Sequence, residues 1–126
     1  MKYLRLVMLA FAATALSAAP IRLENDSAVA EISPETGRIT AWRLKKGENL
    51  LWNNHTGNLS HQSAPGWKNY GGDKVWLVPQ KQRYNAFGND APDPVIDGQP
   101  WQVAEHTPYS VVLKSGRSDA LHCMVT

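Results

Sequence analysis

Between Trp67 and Gln80 the chain places two tryptophans, a tyrosine, a glycine pair, an Asp-Lys pair and two amide side chains in one short segment. Aromatic faces beside fixed polar groups suit a ligand with both C–H faces and hydroxyls, which describes a sugar. Trp67, Tyr70 and Trp76 would stack on such faces, and Asn69, Asp73, Lys74 and Gln80 would hydrogen-bond its hydroxyls. Gly71 and Gly72 carry no side chains, so a ligand or a neighbouring strand can reach the main chain there. The competing reading is structural: a strand packed under a glycine turn, with Trp76 in the core, because aromatics bury large apolar areas. Trp67 follows Pro65-Gly66 in polar surroundings and fits an exposed position equally well. A phosphate loop is excluded, because Gly71-Gly72-Asp73-Lys74 lacks the G-x-x-x-x-G-K-[ST] spacing and precedes strand-like Val75-Trp76-Leu77-Val78.

Other reactive side chains carry less. His55, His61, His106 and His122 have no metal-ligand spacing, and zinc needs three or four ligands; no metal and no cofactor are expected. His55 is a candidate proton donor in a sugar site. Asp90, Asp93 and Asp97 depart from the EF-hand pattern, and the intervening prolines favour a rigid acidic surface loop. N-x-[ST] sequons stand at Asn25, Asn54 and Asn58. No G-x-S-x-G elbow occurs. Glycoside hydrolysis needs two opposed carboxylates, and the sequence does not pair Asp73 with Glu48 or Glu105. Cys123, the single cysteine, reads as a small buried apolar residue. His122 beside it would point to the opposite face of a strand.

The elements that must position these residues are strand-like and short. Ile21–Glu24, Ala28–Ile32 and Arg38–Leu44 alternate apolar and polar residues, with Ser33-Pro34-Glu35-Thr36-Gly37 reading as a hairpin loop. A turn over Lys45–Asn49 precedes a short strand, Leu50–Trp52. Residues 53–70 read as a long loop, of the kind often functional in compact domains. Lys74–Val78 is expected as a strand stopped by Pro79, and Tyr84–Pro94 as a second irregular region. Asp97-Gly98 is a turn pair. Trp101–Glu105, Tyr109–Lys114 and Leu121–Thr126 are expected as the last strands. No segment after the first twenty residues carries a convincing helical period. The class implied is all-β, an antiparallel β-sandwich of short strands.

The amino terminus stands apart. Lys2 and Arg5 precede an apolar run, Leu6–Leu16, and then small residues Ser17-Ala18-Ala19, the order of a secretory signal peptide. The run is short of the roughly 20 residues a membrane span needs. Residues 1–19 are therefore expected to be a signal, and 20–126 an exported domain, periplasmic or extracellular, with no stable membrane span. Without Lys2 and Arg5 the chain has 11 basic and 11 acidic residues, a formal net charge of zero. No basic patch with interleaved aromatics occurs, so nucleic acid is not an expected partner. The alternation of Leu121–Thr126 runs to the last residue without a turn, which suggests the front part of a larger domain.

Four segments together resemble a family of bacterial exported proteins of unknown function in the galactose-mutarotase-like superfamily. They are Ile32-Ser33-Pro34-Glu35-Thr36-Gly37-Arg38-Ile39, Glu48-Asn49-Leu50-Leu51-Trp52, Asn69 through Gln80, and Pro92-Asp93-Pro94-Val95-Ile96-Asp97-Gly98. The resemblance implies a β-supersandwich, a large two-sheet antiparallel fold with a carbohydrate-binding face. Gly71-Gly72 looks like the glycine pair of sugar-phosphate mutarotases, which usually carry an Arg just before it; Asn69-Tyr70 stands in that place here. Known mutarotases open the sugar ring with a carboxylate base and a histidine acid, ordinary general acid-base chemistry. That base comes late in the chain and nothing here matches it, so no catalytic residue is carried over. Fold alone does not grant activity. Three readings follow: a carbohydrate-binding domain, an aldose 1-epimerase-type enzyme, or a structural module with no ligand.

Overall fold

The computed structural model describes residues 19–54, 60–61, 64–88 and 92–126. The expected signal segment up to residue 18, and His55, Asn58 and Asp90, lie outside them. The described chain is β-rich and antiparallel throughout.

The first three strands form as their alternation predicts. β1 (Ile21–Glu24), β2 (Ala28–Ser33) and β3 (Arg38–Leu44) make an antiparallel meander in that order. Asn25 shapes the first turn, its Oδ1 accepting the N–H groups of Ser27 and Ala28 at 2.9 Å each, the local bonding that favours Asn in turns. Register puts Leu23, Ala30 and Trp42 in one row, and Arg22, Glu31 and Ala41 in the next on the opposite face. The polar face carries an ion-pair ladder: Arg22 to Glu24 (2.5 Å) and Glu31 (3.4 Å), Arg43 to Glu31 (3.7 Å), Lys45 to Glu24 (3.9 Å). Val29 lies within this face and is buried. A bulge between Glu31 and Ile32 shifts the register, and Thr40 Oγ1 there donates to the Glu31 carbonyl (3.2 Å). Bulges bend a strand and increase its twist.

A second core is built from the carboxy-terminal third. Ile96, Trp101 and Val125 are buried together, with Leu77, Leu113 and Cys123 against them. Trp101 is not the first residue of a strand, as expected, but a plug. Its N–H donates to the Pro34 carbonyl (2.7 Å) and its indole Nε1 to the Ile96 carbonyl (2.9 Å). The ring lies over the β2–β3 hairpin loop at Gly37, φ +61°, where a Cβ would fall 2.5 Å from Nε1. That loop therefore needs glycine for its conformation and its clearance alike. β6 (Gln102–His106) and β7 (Val111–Lys114) pair as a hairpin, turned by Thr107, whose Oγ1 accepts from Tyr109 N–H (3.2 Å) and Ser110 N–H (3.0 Å).

Several sequence expectations are corrected. Leu121–Thr126 forms no strand: its alternation is real, with Cys123 half-buried and Val125 buried, but among the described residues it makes a bridge from Cys123 to Ser118, a bond from Leu121 N–H to Ser118 Oγ and bonds between Val125 and Ser115. His122 there has φ +54°, which breaks the ladder. Leu50–Trp52 forms no strand either. Residues 53–70 are not wholly a loop, because β4 (Ser60–His61) and β5 (Ala64–Lys68) pair within them. The irregular region expected from Tyr84 begins inside a helix, α1 (Gln80–Phe87), entered through a cis Val78–Pro79 bond and closed by Gly88 at φ +69°, whose N–H reaches the Tyr84 carbonyl (2.7 Å).

Candidate functional site

The glycine pair is a junction between three segments. Gly71 and Gly72 both have positive φ, +76° and +71°. Asn53 bridges Gly71 and Ile39 bridges Asp73. Gly72 N–H donates to the Trp52 carbonyl (2.7 Å), and Ile39 and Asp73 exchange two bonds of 2.9 Å. A Cβ on Gly71 would collide with the Trp52 carbonyl oxygen, and one on Gly72 with that of Ile39. The close backbone approach that two glycines permit is thus made by the chain itself.

Three asparagines brace this junction. Asn49 Oδ1 accepts from Trp42 N–H (2.9 Å) and Leu51 N–H (3.1 Å), and its Nδ2 donates to the Thr40 carbonyl (3.0 Å). Asn53 Nδ2 donates to the same carbonyl (2.7 Å), and Asn54 Nδ2 to the Asn69 carbonyl (2.7 Å). Side-chain amides supply here what a ladder supplies elsewhere, which is why Leu50–Trp52 lies along β3 without becoming a strand.

Past the glycines, Lys74–Val78 is not the expected strand. Among the described residues its neighbour Asp73 makes a single bridge, and no ladder continues from it. Lys74 instead turns its ammonium over the Trp76 ring, 4.2 Å from the centroid, and toward the Trp67 ring at 5.7 Å. The same ammonium pairs with Asp97, whose side chain is 7% exposed. Two indoles and a carboxylate thus hold one cation, a desolvated cation–π arrangement. Asp97 Oδ2 also accepts Asp93 N–H (3.1 Å). Asp93 is buried, not on a surface loop as expected: its carboxylate accepts from Val95 N–H (2.8 Å), Ile96 N–H (2.7 Å) and Ser118 Oγ (2.6 Å). Those bonds tie the turn after Pro92 to the carboxy-terminal core.

The structure brings Trp67, Lys74 and Trp76 together, and joins Asn69 to Gly71, whose N–H donates to Asn69 Oδ1 (3.2 Å). Tyr70 and Trp76 each remain 41% exposed, so Trp76 is not the core residue that one reading expected. Asp73 is exposed beside them. Gln80 opens α1 with an exposed side chain, and no hydrogen bond among the described residues ties it to the glycines. Glu48 and Glu105 are exposed, as are His106 and His122.

Arg38 was not foreseen. It follows the hairpin loop in an alternating strand, a position that reads as solvent-facing, yet it is only 4% exposed. Its Nη1 donates to the Gly71 carbonyl (2.8 Å), and its guanidinium lies 5.9 Å from the Tyr70 ring centroid. Burial pulls its pKa below the ordinary arginine value, with the Tyr70 hydroxyl opposing. Beside Arg38 runs an open groove of about 200 Å³, walled by Gly37, Ile39, Asp73, Lys74 and Leu113. Comparison with family models, with curated proteins and with solved structures finds no match to this chain.

Proposed function

We propose that the chain is a carbohydrate-binding domain, exported, of mutarotase-like sandwich architecture, whose sugar site lies on the Tyr70–Trp76 side of the glycine junction. One observation carries the reading. Tyr70 and Trp76 keep two fifths of their surface open on either side of Gly71–Asp73, beside the polar tips of Asn69 and Asp73. Exposed rings flanking an anchored amide and an exposed carboxylate offer a stacking face and hydroxyl partners together. The four-segment resemblance to mutarotase-like exported proteins points the same way. Its enzymatic form, an aldose 1-epimerase, adds anomeric interconversion, and polarimetry on fresh α-galactose separates the two. Calorimetric titration of the full chain with a panel of neutral and acidic mono- and oligosaccharides tests binding. Heat from at least one sugar, lost in Trp76→Ala with the fold intact by circular dichroism, is the expected result; silence across the panel overturns the reading.

A second reading has its own support. Lys74 fills the space between Trp67 and Trp76 and neutralises Asp97. A scaffold without a ligand would show the same cluster. In that case Trp76→Ala lowers stability and leaves no binding to lose.

A further inference from the structure

We propose that Arg38 is the receptor for a carboxylate, and that the ligand of the glycine junction is an acidic sugar, a uronate. This rests on the carbohydrate reading and narrows it. The guanidinium is nearly sealed, at 4% exposure, and Nη1 is committed to the Gly71 carbonyl. Nε and Nη2 have no hydrogen-bond partner among the described residues. These two N–H groups point the same way along one edge of the planar guanidinium, and that edge is the fork that receives both oxygens of a carboxylate. No acidic side chain of the described residues ion-pairs with Arg38, and among these residues its buried charge faces only the Gly71 carbonyl and the Tyr70 ring. An uncompensated buried charge is strongly unfavourable, whereas pairing with hydrogen bonds removes most of that penalty.

A second orphan adjoins the same glycine. Asn53, bridged to Gly71, spends its Nδ2 on the Thr40 carbonyl and leaves Oδ1 buried without a partner. Two unused donors and one unused acceptor adjoin Gly71, and a uronate offers both a carboxylate and, on C4, a hydroxyl donor. One guanidinium edge supplies donors for two oxygens, which a carboxylate fills and a phosphate exceeds. A groove that Arg38 lines together with Asp73 and Lys74 lies alongside.

The test uses the full chain, with D-galacturonate and D-glucuronate against galactose and glucose. By calorimetry the uronates are expected to bind about 10- to 100-fold tighter than their neutral counterparts, the range of one charge-assisted pair. Arg38→Gln is expected to abolish that preference. Because that variant can lose its fold, the unaltered protein supplies a second readout: the Arg38 Nε–H cross-peak in a 1H–15N spectrum shifts with galacturonate and stays in place with galactose. Equal binding of acidic and neutral sugars, with a stationary Arg38 signal, overturns the carboxylate receptor and leaves the carbohydrate reading standing. Absence of binding by every sugar overturns both.

Discussion

At the scale of single residues, Gly72 and Gly88 share a positive φ, +71° and +69°, and differ in what surrounds them. A methyl at Gly72 meets the Ile39 carbonyl, while at Gly88 it meets nothing within 4 Å. A left-handed backbone costs a non-glycine residue about 1–2 kcal/mol, and forced repacking adds about 1–3 kcal/mol. Gly72→Ala is therefore expected to lower unfolding free energy by about 2–5 kcal/mol in urea titrations, and Gly88→Ala by about 1 kcal/mol. Equal effects would show that the Ile39 contact is slack. Lys74 makes a related case. Lys74→Ala leaves the nearly buried Asp97 carboxylate without its cation, and breaking such a pair costs about 3 kcal/mol or more. Asp97→Asn in the same background is expected to restore part of that loss. At Glu24 the effect is one of pH. The Arg22 hydrogen bond, then the charges of Arg22 and Lys45, hold its carboxyl below the ordinary 4.5. Its contribution to stability is present above the unfolded value and fades as pH falls through the lower folded one. A carboxyl-detected NMR titration is expected to place the Glu24 midpoint under 4.5 and to move it up in Arg22→Ala.

Among the elements, those legible in sequence are those whose alternation coincides with a paired neighbour. β1, β2 and β3 each alternate, are joined by turn residues, and find one another across Asn25–Ser27 and Pro34–Gly37. Val75-Trp76-Leu77-Val78 has strand-forming residues but no ladder partner among the described residues, and β propensity reflects fit to a pleated, half-buried surface. Val75, Trp76 and Val78 are instead exposed. α1 escaped detection for the opposite reason: Gln80–Phe87 opens with four polar residues and carries no sustained apolar stripe, so only Pro79 before it and Gly88 after it marked its ends. The aromatic half of the candidate site was legible by residue type. Arg38 and Asn53 were not, because their significance lies in donors and acceptors left over after folding, which no local spacing encodes. Asp97 was read as a turn residue, and its pairing with Lys74 spans 23 positions of sequence.

Across the whole molecule, burial is uneven. The β1–β3 sheet hides Ile32 at one end of its apolar face, yet leaves Trp42 50% and Leu44 64% exposed at the other. Leu23, Ala28, Ala30 and Tyr109 border the same face. Leu44 therefore contributes little to the core, and Leu44→Lys is expected to change unfolding free energy by less than about 0.5 kcal/mol while raising solubility. A loss of several kcal/mol would mean that this face is more covered than its exposure implies. The glycine junction, by contrast, binds strand β3, the asparagine-braced segment and the approach to α1 into one place. It is braced on its chain-facing side and exposed at Tyr70 and Trp76. The direct measurement is a 1H–15N spectrum of the full chain titrated with galactose, glucose and their uronates. Saturable shifts are predicted at the Tyr70, Gly71, Gly72 and Asp73 amides and at the Trp76 indole, with β6 unmoved. Shifts confined to other regions, or a spectrum unchanged by every sugar at millimolar concentration, would contradict the account.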